Sequence, residues 1–334
     1  MKTEILAEVT RGAIVESIHR GAVAVMDKDG KVIASVGDIG YLTYIRSAAK
    51  PMQALPVVAS GAAKHFSLEP AELALIMASH SGEAEHVSLG MRILEKIGLG
   101  AASLQCGTHQ PLHEGSSKAL LANGQRPTVF HCSCSGKHAG MLTLAQHFQL
   151  NTADYFLPGH PVQQMMLESM ADFTGLKTQD IPLGVDGCGV PVFALTLERM
   201  AYAYARWAAP DAFSAEKRAA SHILREAMTG FPTIIAGTGR LATDLMKVTG
   251  SKLLVKDGTE GIFCIGIPHK GWGIALKIED GNLRAGGPII IRVLKELGIL
   301  TADELGQLSG FTVKKLKNYR GETVGEIRPA FSLK

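Results

Sequence analysis

The stretch from Ser251 to Gly281, SKLLVKDGTEGIFCIGIPHKGWGIALKIEDG, reads as three short strands. Its segments SKLLVKDG, GIFCIGIPH and GWGIALKIEDG carry apolar runs separated by glycine-rich turns. The same signature stands at the opposite end of the chain. There GAIVESIH (residues 12–19) and GAVAVMD (21–27) are separated by Arg20-Gly21, and the turn DKDG (27–30) leads into KVIASVG (31–37). These segments predict a meander of antiparallel strands. Between the two ends the apolar period becomes helical, in EHVSLGMRILEKIG (85–98), HPVQQMMLESMADFTG (160–175) and PVFALTLERMAYAYARWA (191–208). PIIIRVLKELG (288–298) predicts a closing helix. The order strands, long helical middle, strands, last helix predicts an α/β chain of the α+β kind. Both chain ends build one antiparallel sheet, and the helices pack on and beside it. No repeat or linker interrupts this reading. The expectation is a single domain over 1–334, with sheet regions 1–46 and 250–334 and a mainly helical region 47–249.

Composition narrows the class. Hydrophobic residues are 46% and charged residues 19% of 334 residues, which suits a large buried core and excludes a disordered chain. The net charge is only +3, and no basic run is interleaved with aromatics, so a nucleic-acid partner is not expected. KKLKNYR (314–320) reads as a solvated helix face or tail. No apolar run is long enough to cross a bilayer. The N-terminal run is broken by Glu4 and Glu8, so no signal peptide is expected. With five cysteines, an odd number, this points to reduced thiols in a cytoplasm.

Candidate chemistry begins at Ser47-Ala-Ala-Lys50, a hydroxyl and an amine three residues apart at a predicted helix start. The plain alternative is a serine cap followed by a solvated lysine. That alternative is favoured for the second S-x-x-K, Ser214 to Lys217. Amide cleavage needs a nucleophile, a base and donors for the oxyanion. A lysine serves as base only when its pKa is brought from about 10.4 to near 7, at a cost of about 4.6 kcal/mol. Apolar neighbours and a second cation both act in that direction. Ala48, Ala49 and Pro51 supply the first. Lys256, on a late strand, would supply the second, its alternative reading being a solvated strand-end lysine. Pro51 suits a first helical turn, whereas Pro56 is expected to bend or end that helix. Ser79, after LALIMA, is either a cap or a proton relay.

Cys132-Ser-Cys134 is too tight for a zinc knuckle. Cys188, between Gly187 and Gly189, sits where the backbone can turn sharply. Cys134, Cys188 and one nitrogen, from His138 or Lys137, would make a three-ligand metal site with an open fourth position. Cys106 and Cys264 read as core residues, and Pro111 between His109 and His113 argues against a metal-binding helix there. Gly237-x-Gly239-x-x-Ala242 imitates a dinucleotide fingerprint, but the late chain reads as antiparallel β. Gly237 and Gly239 are therefore read as a tight loop near the substrate. A non-enzymatic zinc or redox module remains a further reading of the cysteines, one that leaves the Ser-Lys pairs unexplained.

S-x-x-K after N-terminal strands, with K-x-G on a late strand, resembles the serine β-lactamase and penicillin-binding architecture. The strings RSAAKP, ASHS, CSCSGKHAGM, DGCGVP, AGTGR and KIEDGN together resemble the rhizobial-type (class 3) L-asparaginases along essentially the whole chain. The resemblance implies a β-lactamase/transpeptidase-like fold and hydrolysis of L-asparagine to L-aspartate and ammonia by a serine nucleophile. Ser47 with Lys50, and Ser79 with Lys256, match two catalytic Ser-Lys pairs. Cys134, Lys137 and Cys188 match a zinc site with a lysine ligand. His138 and Asp186 match polar residues beside the zinc, and together with Arg46, Gly237 and Gly239 they are expected to bind substrate. The resemblance also implies a homodimer. The alternative within hydrolases is another β-lactamase-like amidohydrolase, a glutaminase or a penicillin-interacting enzyme.

Overall fold

A computed structural model describes residues 2–334. It contains the strands β1 (Glu4–Arg11), β2 (Ile14–Asp27), β3 (Val32–Val36), β4 (Leu42–Tyr44), β5 (Leu183–Val185), β6 (Pro191–Thr196), β7 (Leu254–Asp257), β8 (Ile262–Ile267), β9 (Trp272–Ile278), β10 (Lys314–Lys317) and β11 (Thr323–Pro329). The chain divides into two compact units. One comprises residues 1–48, 195–209 and 244–334, and the other 49–194 and 210–243. Residues 47–48, 195–209 and 244–249, read from the sequence with the helical region, belong to the first unit.

In the first unit β10, β11, β1, β2, β9, β8 and β7 lie side by side in that order, and β3 also pairs with β2. The register is antiparallel between β2 and β9 (Ala24↔Ala275) and between β7 and β8 (Lys256↔Cys264). Both chain ends thus contribute to one antiparallel sheet. Three expectations need correction. β2 runs unbroken through Arg20-Gly21, where a break between two strands is expected. Gly21 is needed there because a Cβ would collide with the carbonyl oxygen of Lys277 on the neighbouring strand, a close-approach role and not a turn role. PVFALTLERMAYAYARWA is not one helix: Pro191–Thr196 is a strand, and the helix begins at Leu197. β-branched and aromatic residues at its start favour the strand. Finally, PIIIRVLKELG does form a helix within Gly286–Glu296, but it does not close the chain. KKLK is strand β10, which turns back to pair with β11. Helix Leu197–Ala208 packs on β9 and β2, and Gly273 lets the carbonyl of Ala201 approach the sheet.

The second unit is mainly helical, around helices Lys50–Ala59, Pro70–Met77, Ser135–His147, Pro161–Thr174 and Ala215–Gly230. Helix Lys50–Ala59 does not end at Pro56 but runs through it. Proline offers no N–H to the carbonyl four residues back, that of Met52. The Ser169 hydroxyl donates to that carbonyl at 2.6 Å, so the freed acceptor is satisfied from another helix. Ser135–His147 is buried from Ser135 to Ala145. A Cβ on Gly136 would collide with the carbonyl of Leu75, and one on Gly140 would reach Ile76 Cγ2 at 2.6 Å. Two glycines one turn apart therefore let this helix lie directly on Pro70–Met77.

Candidate active site

Lys50 opens its helix and is 1% exposed. Its Nζ lies 2.6 Å from the Ala78 carbonyl, 3.0 Å from Ser79 Oγ and 3.2 Å from the Ser133 carbonyl. The partners come from two places in the chain. Ala78 and Ser79 follow helix Pro70–Met77, and Ser133 precedes helix Ser135–His147. The close packing of those two helices sets the width of the slot that the amine fills. Ser79 is not a helix cap; its N–H donates to the Ile235 carbonyl at 2.9 Å. Next to it His80 is fully buried, with Nε2 2.9 Å from Ser135 Oγ, and its ring stacks on His86 at 4.8 Å. Burial first, then the fields of His86 and Lys50, push the His80 pKa well below 6.5.

Ser47 and Arg46 lie on the 3-10 turn Arg46–Ala49, in the stretch where the chain leaves the first unit. Arg46 holds a positive φ of 52°, a conformation uncommon outside glycine. Lys256 is not a solvated strand-end lysine. It is 0% exposed on β7, with Nζ 2.6 Å from the Asp257 carbonyl and 3.0 Å from Asp257 Oδ1. In this arrangement Ser79 is hydrogen-bonded to Lys50.

The second cluster grows from the first turn of helix Ser135–His147. Cys134 is its N-cap, and Lys137 and His138 follow three and four residues on, so all three share a face. Cys188 stands in the turn between β5 and β6. There Asp186 N–H donates to the Val190 carbonyl and Gly189 N–H to the Asp186 carbonyl, each at 2.9 Å. Gly189 takes a φ of 89°, which only glycine adopts at little cost. Ligand atoms of Cys134, Asp186 and Cys188 all lie within 4.8 Å of one another. Lys137 Nζ is 3.2 Å from Cys188 Sγ and 3.6 Å from Asp186 Oδ2.

Of the two nitrogens the sequence allowed, Lys137 is the one in the cluster. His138 Nδ1 is 2.6 Å from Tyr155 Oη, and its Nε2 is buried without a hydrogen-bond partner among the described residues. Asp186 adds a fourth donor where the sequence suggested an open position. Two sulfurs, a carboxylate and an amine are a fitting set for a tetrahedral ion of borderline softness. Hydrogen bonds from Cys132 and Cys188 draw the Cys134 thiol well below its ordinary pKa. The helix N-terminus favours the same thiolate. For Lys137 burial acts downward, but the negative field of Cys134, Cys188 and Asp186 outweighs it and raises the pKa, so the side chain would serve as a ligand only where a bound cation displaces its proton. Burial, then Lys137, lowers His138 to about 3, so it is a neutral imidazole.

Gly237 and Gly239 flank Thr238, whose N–H and O–H reach the Glu83 carboxylate at 2.8 and 2.7 Å. Ser81 Oγ donates to the Ala236 carbonyl at 2.8 Å, and a side chain on Gly237 would run into Ser81. The element before this loop is the short helix Pro232–Ile235, not a strand, so the dinucleotide reading lacks its context. Sequence reasoning missed Glu83 and Tyr155; a glutamate near a glycine loop and a tyrosine far from its histidine carry no local signal. His109 accepts the Ser133 N–H at 2.9 Å and His113 caps helix Glu114–Ala122, so neither belongs to a metal helix.

The model of the L-asparaginase II family matches residues 7–329. This chain belongs to the L-asparaginase II family, and with it to the amidohydrolases. No curated protein matches it. Among solved structures it is similar to a β-lactamase (Mb2281c) from Mycobacterium bovis, at 15% identity and a TM-score of 0.44, over 83% of this chain and 94% of that one. It is similar also to Mglu in its native form with 4.3 M NaCl, at 14% identity and a TM-score of 0.47, over 86% of this chain and 63% of that one. A Bacillus glutaminase gives 13% identity and a TM-score of 0.40, over 84% of this chain and 91% of that one. No helix among the described residues is long and apolar enough to cross a membrane.

Proposed function

We propose that this chain is an L-asparaginase, hydrolysing L-asparagine to L-aspartate and ammonia through an acyl-enzyme on a serine. The observation that carries the reading is the seat of Lys50. As an ammonium it has three N–H groups, matched by the Ala78 carbonyl, the Ser133 carbonyl and Ser79 Oγ. As a neutral amine it has two N–H groups for the carbonyls and a lone pair for the Ser79 proton. Both protonation states are satisfied without movement, which suits a group that takes and returns a proton during acyl transfer. Ser47 is assigned the attack on the amide carbon, Ser79 the relay of its proton, and Lys256 the second cation of the catalytic set. Arg46, His138, Asp186 and the Gly237-Thr238-Gly239 loop are assigned to substrate binding.

Cys134, Lys137 and Cys188, with Asp186 in the same cluster, would hold a zinc ion, which when bound supplies a Lewis acid for polar groups of the substrate. Holding both sulfurs deprotonated side by side favours a cation there. The family resemblance supports a homodimer, and the odd number of cysteines supports a reducing, cytoplasmic compartment. The deciding assay is ammonia release from L-asparagine, L-glutamine and a penicillin, with and without chelator. Turnover of L-asparagine with weaker affinity in chelator is expected. Preference for glutamine, or for the penicillin, would replace the substrate assignment. A second reading is favoured by the 3.0 Å contact of Ser79 with Lys50, namely that Ser79 itself is the nucleophile. Acid-quenched turnover and peptide mass mapping separate the two: an aspartyl adduct is expected on Ser47, and an adduct on Ser79 would exchange the roles.

A further inference from the structure

We propose that Cys134 and Cys188 form a site of reversible oxidation, closing a disulfide between the first turn of helix Ser135–His147 and the turn that joins β5 to β6. Their sulfurs lie within 4.8 Å of each other. A disulfide needs about 2.05 Å, so one side must travel. Cys134 is fixed, because the helix behind it lies on Pro70–Met77 with no room to shift. Cys188 is free to approach. It stands between two exposed glycines, and nothing lies within 4 Å of where a Gly187 Cβ would be.

The neighbouring thiols single out this pair. Cys132 lies against both Cys106 and Cys134, with its sulfur 3.4 Å from the Cys106 carbonyl, so proximity alone does not separate it from Cys188. A Cys132–Cys134 bond would, however, distort Ser133 between them, whose carbonyl holds Lys50 and whose N–H holds His109. Cys264 belongs to the first unit, on β8.

The oxidant is a small hydroperoxide, since both cysteines are buried, at most 8% exposed as residues, and a bulky disulfide would not reach them. The Cys188 sulfur attacks one peroxide oxygen, the O–O bond breaks, and the other oxygen leaves as water with the thiol proton and the peroxide proton. This gives a sulfenic acid at Cys188. The Cys134 sulfur then attacks Cys188 Sγ, the S–O bond breaks, and the hydroxyl leaves as a second water with the Cys134 proton. Peroxide is reduced by two electrons and the two thiols are oxidised to one disulfide. The disulfide withdraws both sulfurs from metal binding, a consequence that rests on the zinc reading, whereas the oxidation itself does not.

The test treats the full chain with hydrogen peroxide and follows intact mass, cross-linked peptides and free thiols. The expected product has lost two hydrogens and gained no oxygen, links the peptides of Cys134 and Cys188, shows three free thiols in place of five, and reverts with dithiothreitol. Cys132→Ser is expected to form the same link. A link at Cys132 or Cys106, a Lys137–Cys188 link, or a stable gain of oxygen without a link overturns the proposal. Zinc loaded beforehand is expected to slow the link. If the link forms equally fast with zinc present, the modification stands and the metal reading fails.

Discussion

Each unit of the molecule buries a lysine, and the two are held by opposite means. Lys256, in the sheet unit, is paired with a carboxylate, Asp257 Oδ1 at 3.0 Å. Lys50, in the helical unit, is held by two carbonyls and a hydroxyl, all uncharged. A buried ion pair keeps both partners charged, and losing one strands the other. Neutral dipoles stabilise an ammonium less and tolerate its loss. The contrast teaches that burial alone does not make a lysine a base. What matters is whether its partners still suit the amine once the proton has gone.

Substitutions can break this comparison. Lys50→Met is expected to lower kcat on the order of 10⁴-fold with a smaller loss of stability than Lys256→Met, and Ser47→Ala to lower kcat at least as much. Full activity in Ser47→Ala would remove it from the mechanism. Lys256→Met reverses the emphasis. It removes a cation 3.0 Å from a buried carboxylate, so a loss of about 3 kcal/mol of stability is expected, seen as a lower urea midpoint. Lys256→Met with Asp257→Asn is expected to recover part of that loss. If instead Lys50→Met is the more destabilising variant, the contrast between the two lysines is wrong.

Two further measurements sharpen it. If the cluster holds zinc as proposed, Cys188→Ser is expected to lose it and raise KM about tenfold or more with a smaller change in kcat, as for the loss of a ligand group. A fall in kcat at unchanged KM would place the metal in the chemical step. The histidines behind Ser79 predict a pH limit. Burial holds His80 and His86 below 6.5 in the folded chain. Below pH 6.5 the unfolded chain therefore binds more protons than the folded one. Stability is complete above that pH and falls as the pH drops below it, by up to about 1.4 kcal/mol per pH unit for each histidine. Thermal melts from pH 8 to 5 check this, and His80→Gln is expected to flatten the slope.

The sheet built from both ends was legible because its strands carry their own periodicity and turns. Gly21 misled, since a glycine that admits a neighbouring carbonyl looks in sequence like one that makes a turn. KKLK misled because a charged edge strand has no apolar alternation. In the site, the cysteines and the S-x-x-K were visible as types and spacings. The contact of Lys50 with Ser79, 29 residues on, was not, because it depends on how two helices meet. Nor was the place of Asp186 beside the sulfurs, which is set by the hairpin turn.

That meeting of helices bears on protein engineering. Replacing helical glycine with alanine commonly stabilises a protein by about 1 kcal/mol, so Gly136 and Gly140 would be chosen early in a thermostability campaign. Here the sign is reversed. Either added methyl group would wedge the helix carrying Lys137 away from the one that leads to Ser79, and the damage would fall first on the slot around Lys50. A consensus-blind library is therefore expected to return both positions as intolerant to every side chain, ahead of many residues that touch the chemistry directly.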